Sequence, residues 1–241
     1  MELRFSPIGI LRSPFPDRFG IPRQPRLVTA AESRLVLLPP YDRDEAFKGI
    51  EGFSHVWLLF VFHDDCPQAG WRTTVRPPRL GGRERVGVFA SRAPYRPNCM
   101  GLSAVEHLGI ERGPEGLVLR LRGADLLDGT PVLDIKPYVP SADAIPEARS
   151  GFAPEPPAGE WEITFTPEAE DAIAAADPEG GLRLRALIKQ ILAKDPRPGY
   201  MDRYPERDRF ALRLYNLEIR WRVEGHAALV ETVNTYRASH P

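Results

Sequence analysis

The first 146 residues show no alternation of strand and helix patterns. Their apolar residues fall in short runs separated by proline and glycine, of which the whole chain has 26 and 20. Phe53 to Phe62 (FSHVWLLFVF) is continuous, aromatic and too short for a core helix with flanking caps, so it reads as a central strand. Arg4 to Ser13, stopped by Pro14 and Pro16, reads as a first strand, and further strands fit Val86–Ser91, Leu102–Ile110, Leu117–Arg122 and Val132–Ile135. Leu27 to Leu38 has two apolar pieces around Ala31-Glu32-Ser33 and predicts a hairpin. Asp42 is placed to cap a short helix through Phe47. Cys66 to Arg85 is a long connection whose Trp71 argues for order. No G-x-G-x-x-G stands between a strand and a helix, which argues against a Rossmann-type domain. Many short strands with Pro/Gly turns predict an all-β, mainly antiparallel β-barrel, closed or nearly so.

A different pattern follows. Glu147 to Gly159 (EARSGFAPEPPAG) has linker composition. Trp161 to Thr166 then reads as a strand, and Thr166 with Pro167 opens a helix. Leu184, Leu187, Ile188, Ile191 and Leu192 mark one helix face. Alternation over Phe210–Leu214 and Leu217–Val223, then His226–Val233, supplies three strands. The expected organisation is a barrel over 1–146, a linker over 147–159 and a small α+β domain over 160–236. The order β-α-α-β-β-β resembles the RelE/ParE-like fold, an analogy of fold alone.

Net charge is −1, so no global basic field announces nucleic acid. The distribution is uneven: between Arg72 and Arg96 lie seven arginines and one acid, Glu84, a local +6 that could meet phosphate or simply be solvated. Cys66 and Cys99 have no paired spacing, so neither a disulfide framework nor a zinc site is expected. His55, His63 and Cys66 lack metal-type spacing, and no metal is expected. No apolar stretch is long enough to span a membrane. The start, Met1-Glu2-Leu3-Arg4, lacks a signal h-region, and a cytoplasmic location is expected.

Three loops carry chemistry. Arg92 to Ser103 (RAPYRPNCMGLS) is a stiff connection with two guanidiniums, an amide and an aromatic ring, suited to a polar, planar ligand. Ile21 to Pro25 (IPRQP) is a rigid loop with one guanidinium and one amide. Leu127 to Tyr138 (LDGTPVLDIKPY) opens as a tight turn, in which Asp128 could simply satisfy backbone. Asp134, Lys136 and Tyr138 then alternate on one strand face, as an ion pair or as pocket lining. Each loop alone could be structural.

Taken together and in this order, the three motifs resemble the TsaA-like family, over about Ile8 to Ala144. One departure is Cys99-Met100 after Arg96-Pro97-Asn98, where the family commonly has proline and a β-branched residue; both pairs are apolar. The resemblance implies a non-Rossmann β-barrel methyltransferase that forms a homodimer and binds S-adenosyl-L-methionine. It assigns to the cofactor Pro22, Arg23, Gln24, His63, Asp64, Arg92, Leu102, Leu127, Asp128, Gly129 and Thr130. Candidates for contacts with substrate or tRNA are Arg72, Arg76, Arg79, Arg83, Arg96, Asn98 and Lys136. The implied reaction is N6-methylation of threonylcarbamoyladenosine at position 37 of tRNA, next to the anticodon. The proton acceptor stays open among Asp134, Tyr138 and His63. The rival reading is a barrel that binds an adenosine-type ligand or RNA without transferring methyl. Because every cofactor motif precedes Pro146, a chain ending there is expected to fold and to bind cofactor.

Overall fold

The computed structural model describes residues 3–64, 70–77, 84–153 and 161–236. Six strands close into an antiparallel barrel in the order β1-β2-β7-β6-β3-β8. They are β1 (Gly9–Arg12), β2 (Glu32–Leu37), β3 (His55–Val61), β6 (Met100–Gly113), β7 (Gly116–Arg122) and β8 (Thr130–Pro137). A two-stranded ribbon, β4 (Thr74–Val75) with β5 (Val86–Gly87), lies between β3 and β6 in the chain. Alternation sends Leu35 and Leu37, Val56, Leu58 and Phe60, and Leu117, Leu119 and Leu121 into the barrel interior, where Leu11, Val105 and Val132 meet them. Full burial of each such side chain stabilises the fold by about 1.5–3 kcal/mol.

A bulge between Leu59 and Phe60 resets the pairing of β3 with β8: Phe60 faces Val132, whereas Leu59 faces Asp134 and Trp57 faces Lys136. Val132 therefore points inward with Phe60, and Asp134 and Lys136 point outward. After β8 comes one helical turn, α1 (Pro140–Asp143).

The C-terminal half contains β9 (Glu162–Phe165), α2 (Pro167–Ala176), α3 (Leu184–Ala193), β10 (Arg209–Leu214), β11 (Leu217–Glu224) and β12 (Ala227–Thr235). The sheet order is β10-β11-β12-β9, with β12 and β9 parallel. Thr166 caps α2 by accepting the Ala169 N–H at 3.2 Å. The periodic face of α3 is buried through Leu184, Leu187, Ile188, Ile191 and Leu192.

Four expectations are corrected. Leu27–Leu38 is no hairpin: β2 starts at Glu32, and Val28, Ala30 and Ala31 are buried in the C-terminal core rather than in the barrel. The turn near Asp42 is a short 3-10 segment, Asp44–Phe47, with Arg43 at the N-cap position. Trp71 is 54% exposed rather than enclosed. Cys99 is disulfide-bonded, where the spacing of the cysteines predicts no such bond; Cys66 lies outside the described residues.

The connection between β1 and β2 joins the two halves. Phe15, Val28, Ala30 and Ala31 belong to the same buried cluster as Trp221, Leu214 and α3. Phe19 stacks on Trp221 with ring centroids 6.0 Å apart. The Tyr215 amide donates to the Pro14 carbonyl at 2.8 Å, and the Ala30 amide donates to Gln190 Oε1 at 2.8 Å. Arg213 grips Asp17 through two guanidinium hydrogen bonds.

Candidate active site

At the end of the barrel where β3 and β7 finish and β8 begins, a cavity of about 220 Å³ opens. Phe60 and Val61 line it from the end of β3 and Phe62, His63 and Asp64 from just beyond, with Asp125, Leu126 and Leu127 from the β7–β8 connection and Thr130 from the start of β8. Arg18 and Ile21 close it from the β1–β2 connection, and Pro94 from the β5–β6 connection. Gly101 shapes the wall. A Cβ at Gly101 would stand 2.2 Å from the Phe60 ring, so only glycine lets that ring lie across β6. Phe62 meets Phe60 edge-on at 5.1 Å.

The three sequence motifs converge on this end. His63, Asp64, Leu127 and Thr130 line the cavity. Asp64 is held by Arg18, with N–O distances of 2.8 and 2.9 Å. Thr130 is buried and donates its hydroxyl to the Leu127 carbonyl at 2.7 Å. Gln24 Oε1 accepts from Arg92 at 2.6 Å, which ties the first motif to the second. The other assigned residues have different surroundings. Arg23 donates to the Arg197 carbonyl at 2.9 Å, and with Pro22 it borders a smaller cleft against Ile191 and Asp195. Asp128 Oδ1 accepts the Ser13 amide at 2.9 Å, and Gly129, at φ +79°, donates to the Leu11 carbonyl at 2.8 Å. Leu102 stands on the outside of β6 opposite Leu59 and is 53% exposed.

Asp134, Lys136 and Tyr138 lie on the outer barrel face, away from the cavity. Lys136 pairs with Asp134 at 2.9 Å, and the Tyr138 ring sits 5.5 Å from Trp57. Along β8, Asp134 is roughly 13 Å beyond Thr130 at about 3.3 Å per residue. In the arginine stripe, Arg72 lies over the Tyr95 ring at 4.2 Å. Arg96 donates to the Ser91 and Val88 carbonyls at 2.7 and 3.0 Å, folding its own loop. Arg76 and Asn98 are exposed; Arg79 and Arg83 lie outside the described residues.

Sequence reasoning missed Asp125. It lines the cavity, and its Oδ1 accepts the hydroxyl of buried Ser103 at 2.7 Å. Burial pushes its carboxyl up to about 6, although Ser103, its own backbone amide and the Arg92 charge all favour the ionised form. The available signal was an acid flanked by apolar Ala124 and Leu126, three residues before the Asp128 that drew attention.

The family model described as "tRNA-methyltransferase O N-terminal domain" matches residues 10–144, and "TrmO C-terminal domain" matches residues 158–236. The chain belongs to the TrmO family. It is 44% identical over 222 residues to "tRNA (adenine(37)-N6)-methyltransferase" of Escherichia coli, covering 92% of this chain and 94% of that protein. It is 52% identical over 226 residues to "Putative S-adenosylmethionine-dependent methyltransferase RcsF" of Pseudomonas aeruginosa, with 90% of each covered. A crystal structure of TrmO from Pseudomonas aeruginosa superposes with a TM-score of 0.78 at 42% identity, covering 97% of this chain and 98% of that one.

The cavity suits the cofactor of such a family. Phe60 and Phe62 offer flat apolar surface to a purine. His63 and Thr130 add donors and acceptors, and Gly101 leaves the space that a side chain would fill. No helix among the described residues is long and apolar enough to cross a membrane.

Proposed function

We propose that this protein transfers methyl from S-adenosyl-L-methionine to N6 of threonylcarbamoyladenosine at position 37 of tRNA. The observation that carries the reading is the convergence of residues from all three motif loops around one barrel-end cavity, in a chain whose two halves both match TrmO domains. When bound, the cofactor supplies an electrophilic methyl group on a sulfonium. Around it, Phe60, Phe62, Leu127 and Thr130 would hold the nucleoside end, with His63 and the Arg18–Asp64 pair at the side. Arg92, fixed by Gln24, is the guanidinium we assign to the acceptor's own carboxylate.

N6 is a poor nucleophile because its lone pair is delocalised into the purine and the carbamoyl group. Rate must therefore come from alignment and from removal of the N6 proton. The exposed Arg76 belongs to the local positive stripe that would meet tRNA phosphates. We also take the protein to be a cytoplasmic homodimer. Outward Trp57, Leu59 and Leu102 give the barrel an apolar flank for such pairing.

The test is methylation of tRNA from a strain lacking the gene. Digested nucleosides should show threonylcarbamoyladenosine gaining one CH2 on addition of protein and cofactor. Cofactor binding with no gain of mass would leave a binding module and sink the enzymatic reading.

A further inference from the structure

We propose that Asp125 is the catalytic base that takes the N6 proton during methyl transfer. This inference rests on the function proposed above. The geometry narrows the choice. Of the three acceptors that the sequence left open, Asp134 and Tyr138 are on the outer barrel face, and Asp134 is already paired with Lys136. Asp125 instead lines the cavity, on the short connection that also contributes Leu126 and Leu127 and leads into Thr130 of β8. Its carboxylate is oriented from inside the barrel by the Ser103 hydroxyl on β6, itself 3% exposed. A carboxylate fixed on one oxygen at the cavity wall suits proton removal, because its orientation is set before the acceptor arrives.

The titratable or charged groups facing it, among the described residues, are Arg92 from the β5–β6 connection, His63 and Asp64 at the end of β3, and Arg18 from the β1–β2 connection. Arg18 and Asp64 neutralise each other. That leaves Arg92 to favour the carboxylate and His63 as the rival acceptor. With its carboxyl near 6, Asp125 is ionised at neutral pH yet more basic than an ordinary aspartate. In the step itself, the N6 lone pair forms the bond to the methyl carbon and the carbon–sulfur bond breaks with its pair left on sulfur. The N6 proton passes to Asp125, which becomes a neutral acid and later releases the proton to solvent.

The experiment compares wild type, Asp125→Asn and Ser103→Ala by kcat against pH, with cofactor affinity from calorimetry and thermal melts as a check on folding. Wild-type kcat should fall as pH drops through about 6, because the protonated acid cannot accept. Asp125→Asn, which still accepts from Ser103, should lower kcat by about a hundredfold or more, abolish that acid limb and leave cofactor affinity within a few fold. Ser103→Ala removes a hydrogen bond from the ionised form, so the limb should move upward by about half to one pH unit. A purely structural role would not move it. The assignment is overturned if Asp125→Asn keeps wild-type kcat, if its acid limb persists, as a His63 base would give, or if it loses cofactor affinity while kcat holds. No transfer by wild type at any pH would overturn the functional reading and this assignment with it; the variant outcomes overturn the assignment alone.

Discussion

Phe15 precedes β2 in the barrel half, yet its ring is 1% exposed inside the C-terminal core. Phe15→Ala removes a ring from a packed cluster that has no spare side chain to refill it. Such truncations cost about 3–5 kcal/mol. In a chain of this size each kcal/mol moves the melting temperature by about 2–4 °C, so the expected fall is about 6–20 °C in one transition. Arg18 and Ile21, which wall the cavity, follow three and six residues later on the same connection. Loosening that segment should therefore also weaken S-adenosylmethionine. Each kcal/mol of ordering that binding must then supply raises Kd about fivefold. The assay is a thermal melt followed by circular dichroism, paired with cofactor titration well below the mutant's melting point. Two separate transitions, only one of them displaced, with unchanged cofactor affinity, would refute the idea that the halves share a core.

Gly101→Ala should destabilise by about 1–3 kcal/mol and lower cofactor affinity, since its Cβ would drive the Phe60 ring into the cavity; a melt and a titration check both. Asp128→Ala should cost about 1 kcal/mol through loss of the acceptor for the Ser13 amide, while Asp128→Asn, keeping an acceptor oxygen, should melt near wild type. A tenfold loss of cofactor affinity in the Asn variant would instead give the carboxylate a direct role at the cofactor. Burial pushes the Glu32 carboxyl up, but the hydrogen bond and charge of Arg122, with Arg120 beside it, outweigh this and hold it below its usual value. Its contribution is thus present above pH 4.5 and lost as pH falls through the lowered folded-state value. Glu32→Gln should cost about 1 kcal/mol at neutral pH and nothing well below that range, as denaturant melts at both pH values would show.

The barrel was legible because its strands are short apolar runs bounded by proline and glycine, as in the continuous run around Val56-Trp57-Leu58-Leu59-Phe60, and because Leu119-Arg120-Leu121-Arg122 in β7 alternates. The helices α2 and α3 were legible from a cap and from an apolar stripe. The bulge opposite Leu59 was not legible: nothing in Val132-Leu133-Asp134 marks the skipped residue, and that one step separates Asp134 from the cavity side. The use of Leu27–Ala31 was hidden for a related reason. An apolar run reports that it is buried, not by which core. The expectation that a chain ending at Pro146 folds and binds cofactor unaided does not follow from the structure, since that cut would bare Phe15, Val28, Ala30 and Ala31. Asp125 escaped notice because an acid two residues after Gly123 and just ahead of the Asp128-Gly129 turn looks like a turn residue until the Ser103 contact appears.

The four residues that the β1–β2 connection lends to the C-terminal core also constrain how such a chain could be shortened during evolution. Phe15, Val28, Ala30 and Ala31 gain nothing from the barrel, whose interior is filled by other side chains. A lineage that discarded the second half would expose them together with Phe19, making a sticky apolar loop beside the cavity mouth. Loss of the appended domain should therefore leave a scar: polar replacements at those positions, or a deletion between Ser13 and Glu32. That stretch of eighteen or fewer residues then tells, from a relative's first strand-to-strand connection, whether its barrel was built to stand alone.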